Sequence, residues 1–236
     1  MTKTGVSTLF DSIAHRYDLL NHVLSLSIDR LWRRRLIRMA EPRPEERILD
    51  ICTGTGDIAA AFLQAVPEIR VYGVDFSQKM LEAGRRKTAR IRPGAEKSLF
   101  PGDALALPLS DSTFNITTMG FGLRNLPDKR KGITEAARVL KPGGRLFILE
   151  FAPPRSSLLS VPYRFYLGCI LPIIGGIVSA NRDAYHYLAD SIHGFLRPEE
   201  VTALLEESGF TDVTSHPLTG GIAYLYRGIA AGSGTS

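Results

Sequence analysis

Arg47-Ile48-Leu49-Asp50-Ile51-Cys52-Thr53-Gly54-Thr55-Gly56-Asp57 is the stretch that decides the fold. An apolar, β-branched run carries one carboxylate, a glycine-rich turn follows, and the chain then enters a helical pattern. That order is a first strand and nucleotide loop of an α/β sheet. Gly54 and Gly56 permit a tight turn and let backbone approach a ligand with no Cβ in the way. The glycines alone leave the ligand open, because Gly54-x-Gly56-x-x-Ala59 also fits a dinucleotide fingerprint. Charge separates the alternatives. A dinucleotide lays its pyrophosphate on the helix N-terminus, where Asp57 repels it. Asp50, Asp75 and Asp103 also fall near the C-terminal ends of predicted strands. An acid-lined site suits a cationic ligand without phosphate, and S-adenosylmethionine, with its sulfonium, ammonium and ribose hydroxyls, is such a ligand.

Outward from this stretch, strands and helices alternate. Strands are expected over residues 47–51, 70–74, ending near Phe100, 114–119 and 145–151. Helices are expected over 57–66, 78–88 with Ser77 as N-cap, and 129–140, broken by Lys141-Pro142-Gly143-Gly144. This alternation demands a parallel sheet with right-handed crossovers. Past Phe151 the pattern changes. Pro153-Pro154 marks a boundary, residues 165–178 are apolar but interrupted by Gly168, Pro172, Gly175 and Gly176, and residues 183–193 and 198–208 read as helices. The apolar stretch is shorter than the roughly 20 residues a spanning helix needs, so it reads as a buried or interfacial insert. Two closing strands are expected at 211–217 and 222–229. The expected fold is α/β, Rossmann-like, with a seven-stranded mostly parallel sheet. The division is a helical N-terminal segment 1–44, a domain 45–229 with an insert at 152–196, and a frayed tail 230–236.

At 236 residues, 44% hydrophobic and 22% charged, the chain fits one large domain that buries a core without staples. Cys52 and Cys169 show no metal-ligand spacing and read as reduced thiols of a cytoplasmic protein; no metal is expected. No charged start followed by an apolar run marks a secretory signal. The net charge of +5 is modest, but Arg30, Arg33, Arg34, Arg35 and Arg38 gather around Trp32. A solvated helix face and an interfacial helix touching anionic lipid both account for them. Nucleic acid is not expected, since no zinc spacing, RNA-binding aromatic signature or basic tail accompanies the cluster.

For the site, Asp75 at the end of the second strand is placed to take ribose hydroxyls. Asp103, followed by Ala104, reads either as a partner of the adenine amine or as an Asx turn. Thr55 offers a hydroxyl to the amino-acid part of the ligand. After the fourth strand comes Gly120-Phe121-Gly122-Leu123-Arg124-Asn125, a loop expected to face the transferring methyl, with Arg124 as a fixed cation or the partner of a helix acid. Each of the five histidines reads first as a structural residue, with His22 the best placed of them.

Residues 49–57, Gly122-Leu123-Arg124-Asn125 and Arg138-Val139-Leu140-Lys141-Pro142-Gly143-Gly144-Arg145 resemble the bacterial ubiquinone/menaquinone C-methyltransferase family. Tyr17-Asp18-Leu19-Leu20-Asn21, Leu31-Trp32-Arg33, Tyr185-x-Tyr187-Leu188-x-x-Ser191-Ile192 and Leu218-Thr219-Gly220-Gly221-Ile222-Ala223 resemble its terminal signatures, so the likeness runs from about Phe10 to Gly228. The resemblance implies a class I S-adenosylmethionine-dependent methyltransferase acting on a ring carbon of a prenylated quinol. It implies cofactor contacts at Thr55, Asp75, Asp103, Ala104 and the backbone of Gly120, to which the reading of the glycine loop adds Asp50, Gly54 and Gly56; Arg124 is assigned to the quinolate oxygen of such a reaction and Asn125 to orienting it. Asp57, His22 or a water held by Arg124 is the expected base. Cys52-Thr53 stands nearer the menaquinone type, which favours demethylmenaquinol over a benzoquinol. The alternatives are a non-catalytic adenosyl- or quinone-binding module, and a small-molecule or RNA methyltransferase of the same fold. A protein of this kind is expected in the cytoplasm, touching the inner face of the membrane.

Overall fold

Residues 28–153 and 190–231 are described by the computed structural model. The stretch that opened the sequence forms β1 (Arg47–Ile51), buried from Ile48 onward. β1, β2 (Arg70–Asp75) and β4 (Phe114–Gly120) are largely buried, as strands covered on both faces are, with Asp50, Thr117 and Thr118 as buried polar exceptions to their apolar character. With β3 (Leu99–Pro101), β5 (Leu140–Phe151), β6 (Phe210–Leu218) and β7 (Ala223–Ala230) they build one sheet of order β3-β2-β1-β4-β5-β7-β6. The pairings from β3 to β5 are parallel, and β7 runs antiparallel to both its neighbours. The strand order reverses at β1 and β4, which leaves a crevice beyond their carboxyl ends for a ligand.

Alternate residues of each strand enter two separate cores. Ile48, Phe147 and Leu149 face α1 (Asp29–Ala40), α2 (Asp57–Ala65) and α3 (Gln78–Ile91), whereas Leu49, Leu146 and Ile148 face α4 (Lys129–Val139) and α5 (Pro198–Glu207). Ser77 caps α3, its hydroxyl accepting from the Met80 amide at 3.2 Å. Helix α1 contributes Trp32, Leu36, Ile37 and Ala40 to the first core, so it belongs to the same packed body as β1. Trp32 stands edge-on to Phe151 at 5.9 Å, and Phe151 lies 4.7 Å from Phe121. Each such ring pair is worth about 0.5–1.5 kcal/mol beyond its buried area. This aromatic cluster backs the loop after β4.

Two expectations are corrected. Lys141-Pro142-Gly143-Gly144 does not separate a helix from a later strand. β5 already begins at Leu140, which pairs with Phe114, and pairing resumes at Arg145 opposite Ile116. The four residues bulge out of the ladder, with Gly143 in the left-handed region at φ 73°. Ala230, assigned to the tail, is buried as the last residue of β7. The expectations for residues 1–27, the apolar stretch 165–178, Cys169, His15, His22, His186, residues 183–189 and the tail from 232 lie outside the described residues; residues 190–193 are helical.

Candidate functional site

The turn after β1 is built from left-handed backbone at Cys52, Gly54 and Gly56, and Gly56 is the N-cap of α2. Beneath it lies Asp50, about 1% exposed. Its two oxygens accept from the hydroxyls of Thr53 and Thr118, each at 2.7 Å. Burial pushes its carboxyl up to about 6, against the lowering effect of those two hydrogen bonds. Asp75, at the end of β2, accepts from the Gly54 amide at 2.8 Å and the Ser77 amide at 2.9 Å. One carboxylate thus fixes the glycine turn and the start of α3 together. Each of its oxygens carries two lone pairs, so these bonds leave it capable of meeting a ligand hydroxyl.

A cavity of about 230 Å³ opens beside Asp75 and is lined by Cys52, Phe76, Asp103, Ala104, Leu105, Arg124, Asn125 and Lys129, among others. Of its two expected readings, Asp103 shows the Asx turn, and it also faces the cavity that the other would need. It lines the cavity, and its Oδ1 accepts from the Leu105 amide at 3.0 Å in an Asx turn. Phe76 is 39% exposed, an apolar plate at the cavity lip next to Asp75. Two smaller recesses adjoin the cavity. One is lined by Gly54, Met80, Gly120 and Phe121, and the other by Asp50, Thr53, Gly54, Thr55, Asp57, Gly120 and Arg33. Cys52 lines all three, and burial followed by the Asp75, Asp50, Glu150 and Asp103 carboxylates holds its thiol well above the usual range. It is a neutral lining group.

The loop after β4 meets this line of cavities from the other side. Phe121 adopts φ 57°, an outlier for a bulky residue, and the aromatic cluster over-determines it. A Cβ on Gly122 would fall 2.6 Å from the Cβ of Cys52, so the two loops touch with no space between them. Arg124 is nearly fully buried and paired with Glu150 of β5 at 2.6 Å. Its Nη1 also donates to the Phe121 carbonyl at 2.7 Å, and its backbone amide donates to Glu150 Oε2 at 3.2 Å. The acid partner comes from a strand, not from a helix. Asn125 Nδ2 donates to the same Phe121 carbonyl at 3.2 Å and lines the cavity and the recess beside Met80. Lys129, half-buried at the cavity wall, donates to the Leu126 carbonyl at 3.2 Å; burial lowers its ammonium below the ordinary lysine range.

Asp57 does not confront the site as an open negative charge. Arg33 of α1 reaches it at 2.9 Å and Lys87 of α3 bridges it from the other side. Its expected repulsion of a pyrophosphate is therefore largely neutralised, and the acidic character of the site rests on Asp50, Asp75 and Asp103. Arg33, grouped by sequence with the surface arginines, is only 7% exposed. Thr55 is buried and accepts from Lys87 at 3.4 Å. Asp50, Gly54, Thr55, Asp75, Asp103, Ala104, Gly120, Arg124 and Asn125 line one run of cavities together with Arg33, Phe76 and Lys129, while Lys87 and Glu150 hold Asp57 and Arg124 from behind; Gly56 does not line it, and a Cβ there would face Gly84 and Leu99 instead. A buried acid after the apolar run Leu146-Phe147-Ile148-Leu149 is the sequence signal that could have revealed Glu150. An adenosyl ligand fits these residues: carboxylates at Asp75 and Asp103 for hydroxyl and amine donors, an aromatic plate at Phe76, and acids near the glycine turn for its cationic end.

Comparison with known proteins gives the same direction. Demethylmenaquinone methyltransferase of Thermus thermophilus is 44% identical over 220 residues, covering 93% of this chain and 99% of that protein. Ubiquinone/menaquinone biosynthesis C-methyltransferase UbiE of Geotalea daltonii is 41% identical, covering 97% of this chain and 98% of that protein. Among solved structures, a SAM-dependent methyltransferase from Aquifex aeolicus superposes with TM-score 0.60 at 18% identity, over 84% of this chain and 89% of the other. Haemonchus contortus phosphoethanolamine N-methyltransferase 2, in complex with S-adenosyl-L-methionine, superposes with TM-score 0.61 at 15% identity, over 83% of this chain and 51% of that one. The sheet is that of the class I methyltransferases. A model of the ubiE/COQ5 methyltransferase family matches residues 1–230, and the chain belongs to that family.

Proposed function

We propose that this chain methylates a ring carbon of a prenylated quinol, converting demethylmenaquinol to menaquinol. The observation that carries the reading is the crevice itself: an acid-edged adenosyl pocket whose far wall is Arg124, Asn125 and Lys129. The 44% identity to a demethylmenaquinone methyltransferase supports the naphthoquinol branch. The benzoquinol of the ubiquinone branch is the second reading, supported by relatives named for both quinones.

S-adenosylmethionine, when bound, supplies the electrophilic methyl group. The chain binds it through Asp75 at the ribose, Asp103 and Ala104 at the adenine, and Asp50, Gly54 and Thr55 around its amino-acid end, on a turn that the left-handed Gly56 shapes. The backbone of Gly120 lines the two smaller recesses, and no side chain fits there, since a Cβ would come within 2.4 Å of the Ile58 side chain. A quinol ring carbon becomes nucleophilic as the neighbouring hydroxyl loses its proton, so the protein must stabilise an oxyanion. Arg124 serves this oxygen, directly or through a water, and Asn125 orients it. Glu150 holds the guanidinium still, and Lys129 supplies a second positive charge at the same wall. Asp57 is committed to Arg33 and Lys87, which leaves proton removal to a water at Arg124 or to His22, outside the described residues. Holding both reactants at near-attack distance contributes roughly 7–11 kcal/mol of the rate enhancement.

The product partitions into a bilayer, and this reading places the protein in the cytoplasm at the inner membrane face. No helix among the described residues is long and apolar enough to cross a membrane. Arg30, Arg34, Arg35 and Arg38 are exposed on α1 beside Leu31, which is 57% exposed. This combination suits a surface contact with anionic lipid. The test is transfer of labelled methyl from S-adenosylmethionine to short-tailed demethylmenaquinol, to the matching benzoquinol and to RNA. Incorporation into the naphthoquinol is expected, and labelling of RNA alone would overturn the proposal.

A further inference from the structure

We propose that Arg33 receives the carboxylate of the cofactor's amino-acid end. This rests on the adenosyl reading of the crevice and adds a residue from outside the sheet to it. The recess beneath the glycine turn is edged by Asp50, Thr55 and Asp57, and among the described residues Arg33 is the one cation that lines it. The amino-acid end of the ligand is zwitterionic. Its ammonium suits Asp50, but its own carboxylate would meet like charge there unless a cation stood beside it.

Arg33 is built for that task. It is about 9% exposed at its side chain, with Nη1 donating to Asp29 at 2.5 Å and Nη2 bound to Asp57 at 2.9 Å. Its Cζ lies 5.9 Å from the centre of the Phe121 ring. Two acids and an aromatic face fix the guanidinium, yet a guanidinium carries five N–H donors, so two anchors do not exhaust it. Its planar fork matches a carboxylate, whereas a lysine offers a point charge. A solvated arginine would need no buried acid one turn earlier in its own helix; Asp29 is fully buried and sits there.

The test uses two ligands that differ by one group. The purified full chain is titrated calorimetrically with S-adenosylmethionine and with decarboxylated S-adenosylmethionine. Wild type is expected to prefer the first. In Arg33→Gln that preference should fall by about ten-fold or more, with affinity for the decarboxylated compound nearly unchanged. Arg33→Lys should retain part of the preference. Equal loss for both ligands would show that Arg33 only shapes the turn through Asp57, and absence of any preference in wild type would equally overturn the proposal. Asp75→Ala separates this failure from failure of the site reading, because it should weaken both ligands alike. If it weakens neither, the adenosyl site is misplaced. Should Arg33→Gln not fold because it strands Asp29, the double variant Asp29→Asn/Arg33→Gln carries the same comparison, and Arg33→Lys, which keeps a cation for Asp29, gives the graded fall independently.

Discussion

Replacing Arg124 by alanine removes the counter-charge from a carboxylate that has no exposure to water. Glu150 accepts from Arg124 Nη1 at 2.6 Å, the Arg124 amide at 3.2 Å and the Phe151 amide at 2.9 Å. The two backbone donors survive the substitution, so the carboxylate is stripped of charge compensation but not of every hydrogen bond. Breaking a buried ion pair from one side costs about 3–5 kcal/mol, and the surviving amides place Arg124→Ala near the lower figure. For a chain of this size about 3 kcal/mol lowers the melting temperature by roughly 6–12 °C. Glu150→Gln should cost a similar amount by burying an uncompensated guanidinium. The double variant Arg124→Ala/Glu150→Gln leaves a neutral amide oxygen for the backbone donors. It should be less destabilised than the sum of the singles by about 2 kcal/mol. The assay is denaturant and thermal unfolding of the four proteins of this cycle. Losses that add to within about 0.5 kcal/mol would refute the pairing, as would a melting shift below about 2 °C in Arg124→Ala. Loss of turnover in Arg124→Ala therefore speaks for the oxyanion role only when measured well below its lowered melting point.

Asp75→Ala should weaken S-adenosylmethionine binding about ten-fold or more and also lower the melting temperature, because the same carboxylate ties the Gly54 and Ser77 amides; titration at wild-type affinity would remove Asp75 from the site. Asp50, with its carboxyl pushed up to about 6 against 3.8 in the unfolded chain, binds its proton more tightly when folded. Stability should therefore fall as pH rises from about 4 to 6, by about 3 kcal/mol in all, and this slope should be missing from the pH series of Asp50→Asn. Gly122→Ala pushes a methyl to 2.6 Å from the Cβ of Cys52, near both backbones; overpacking of about 1–3 kcal/mol and a sharp fall in cofactor affinity are expected, and wild-type melting and binding would show that the two loops move apart freely. Sedimentation with anionic liposomes should show association that salt weakens, and lack of binding at low salt would count against the arginine face of α1.

The sheet is legible in the sequence because its signals are local. Buried strands read as short β-branched and apolar stretches, Ser77 marks the start of α3, and acids at strand ends fall on one edge once the strands are parallel. The gathering of Asp75, Asp103, Ala104, Gly120, Arg124 and Asn125 follows from strand order alone. What sequence conceals is who neutralises whom. Arg33 looks like its neighbours Arg34 and Arg35, and only the docking of α1 turns it inward toward Asp57. Arg124 and Glu150 are 26 residues apart and meet because β4 and β5 are neighbours. Lys141–Gly144 reads as a break for a related reason: glycine and proline announce a turn but not that the ladder closes on both sides of it.

Trp32 donates through Nε1 to the Thr219 hydroxyl at 2.9 Å, across 187 residues of sequence. Closure of so long a loop is entropically costly. Thr219 lies between β6 and β7, so the helix that carries Arg33 gains this anchor only after residue 219 has been made. Trp32 is also the one tryptophan of the chain, held between Phe121 and Phe151. Its emission is a built-in clock for that step: in a refolding experiment, a fluorescence change that lags formation of the sheet would time the moment at which the protein becomes competent to hold its ligand.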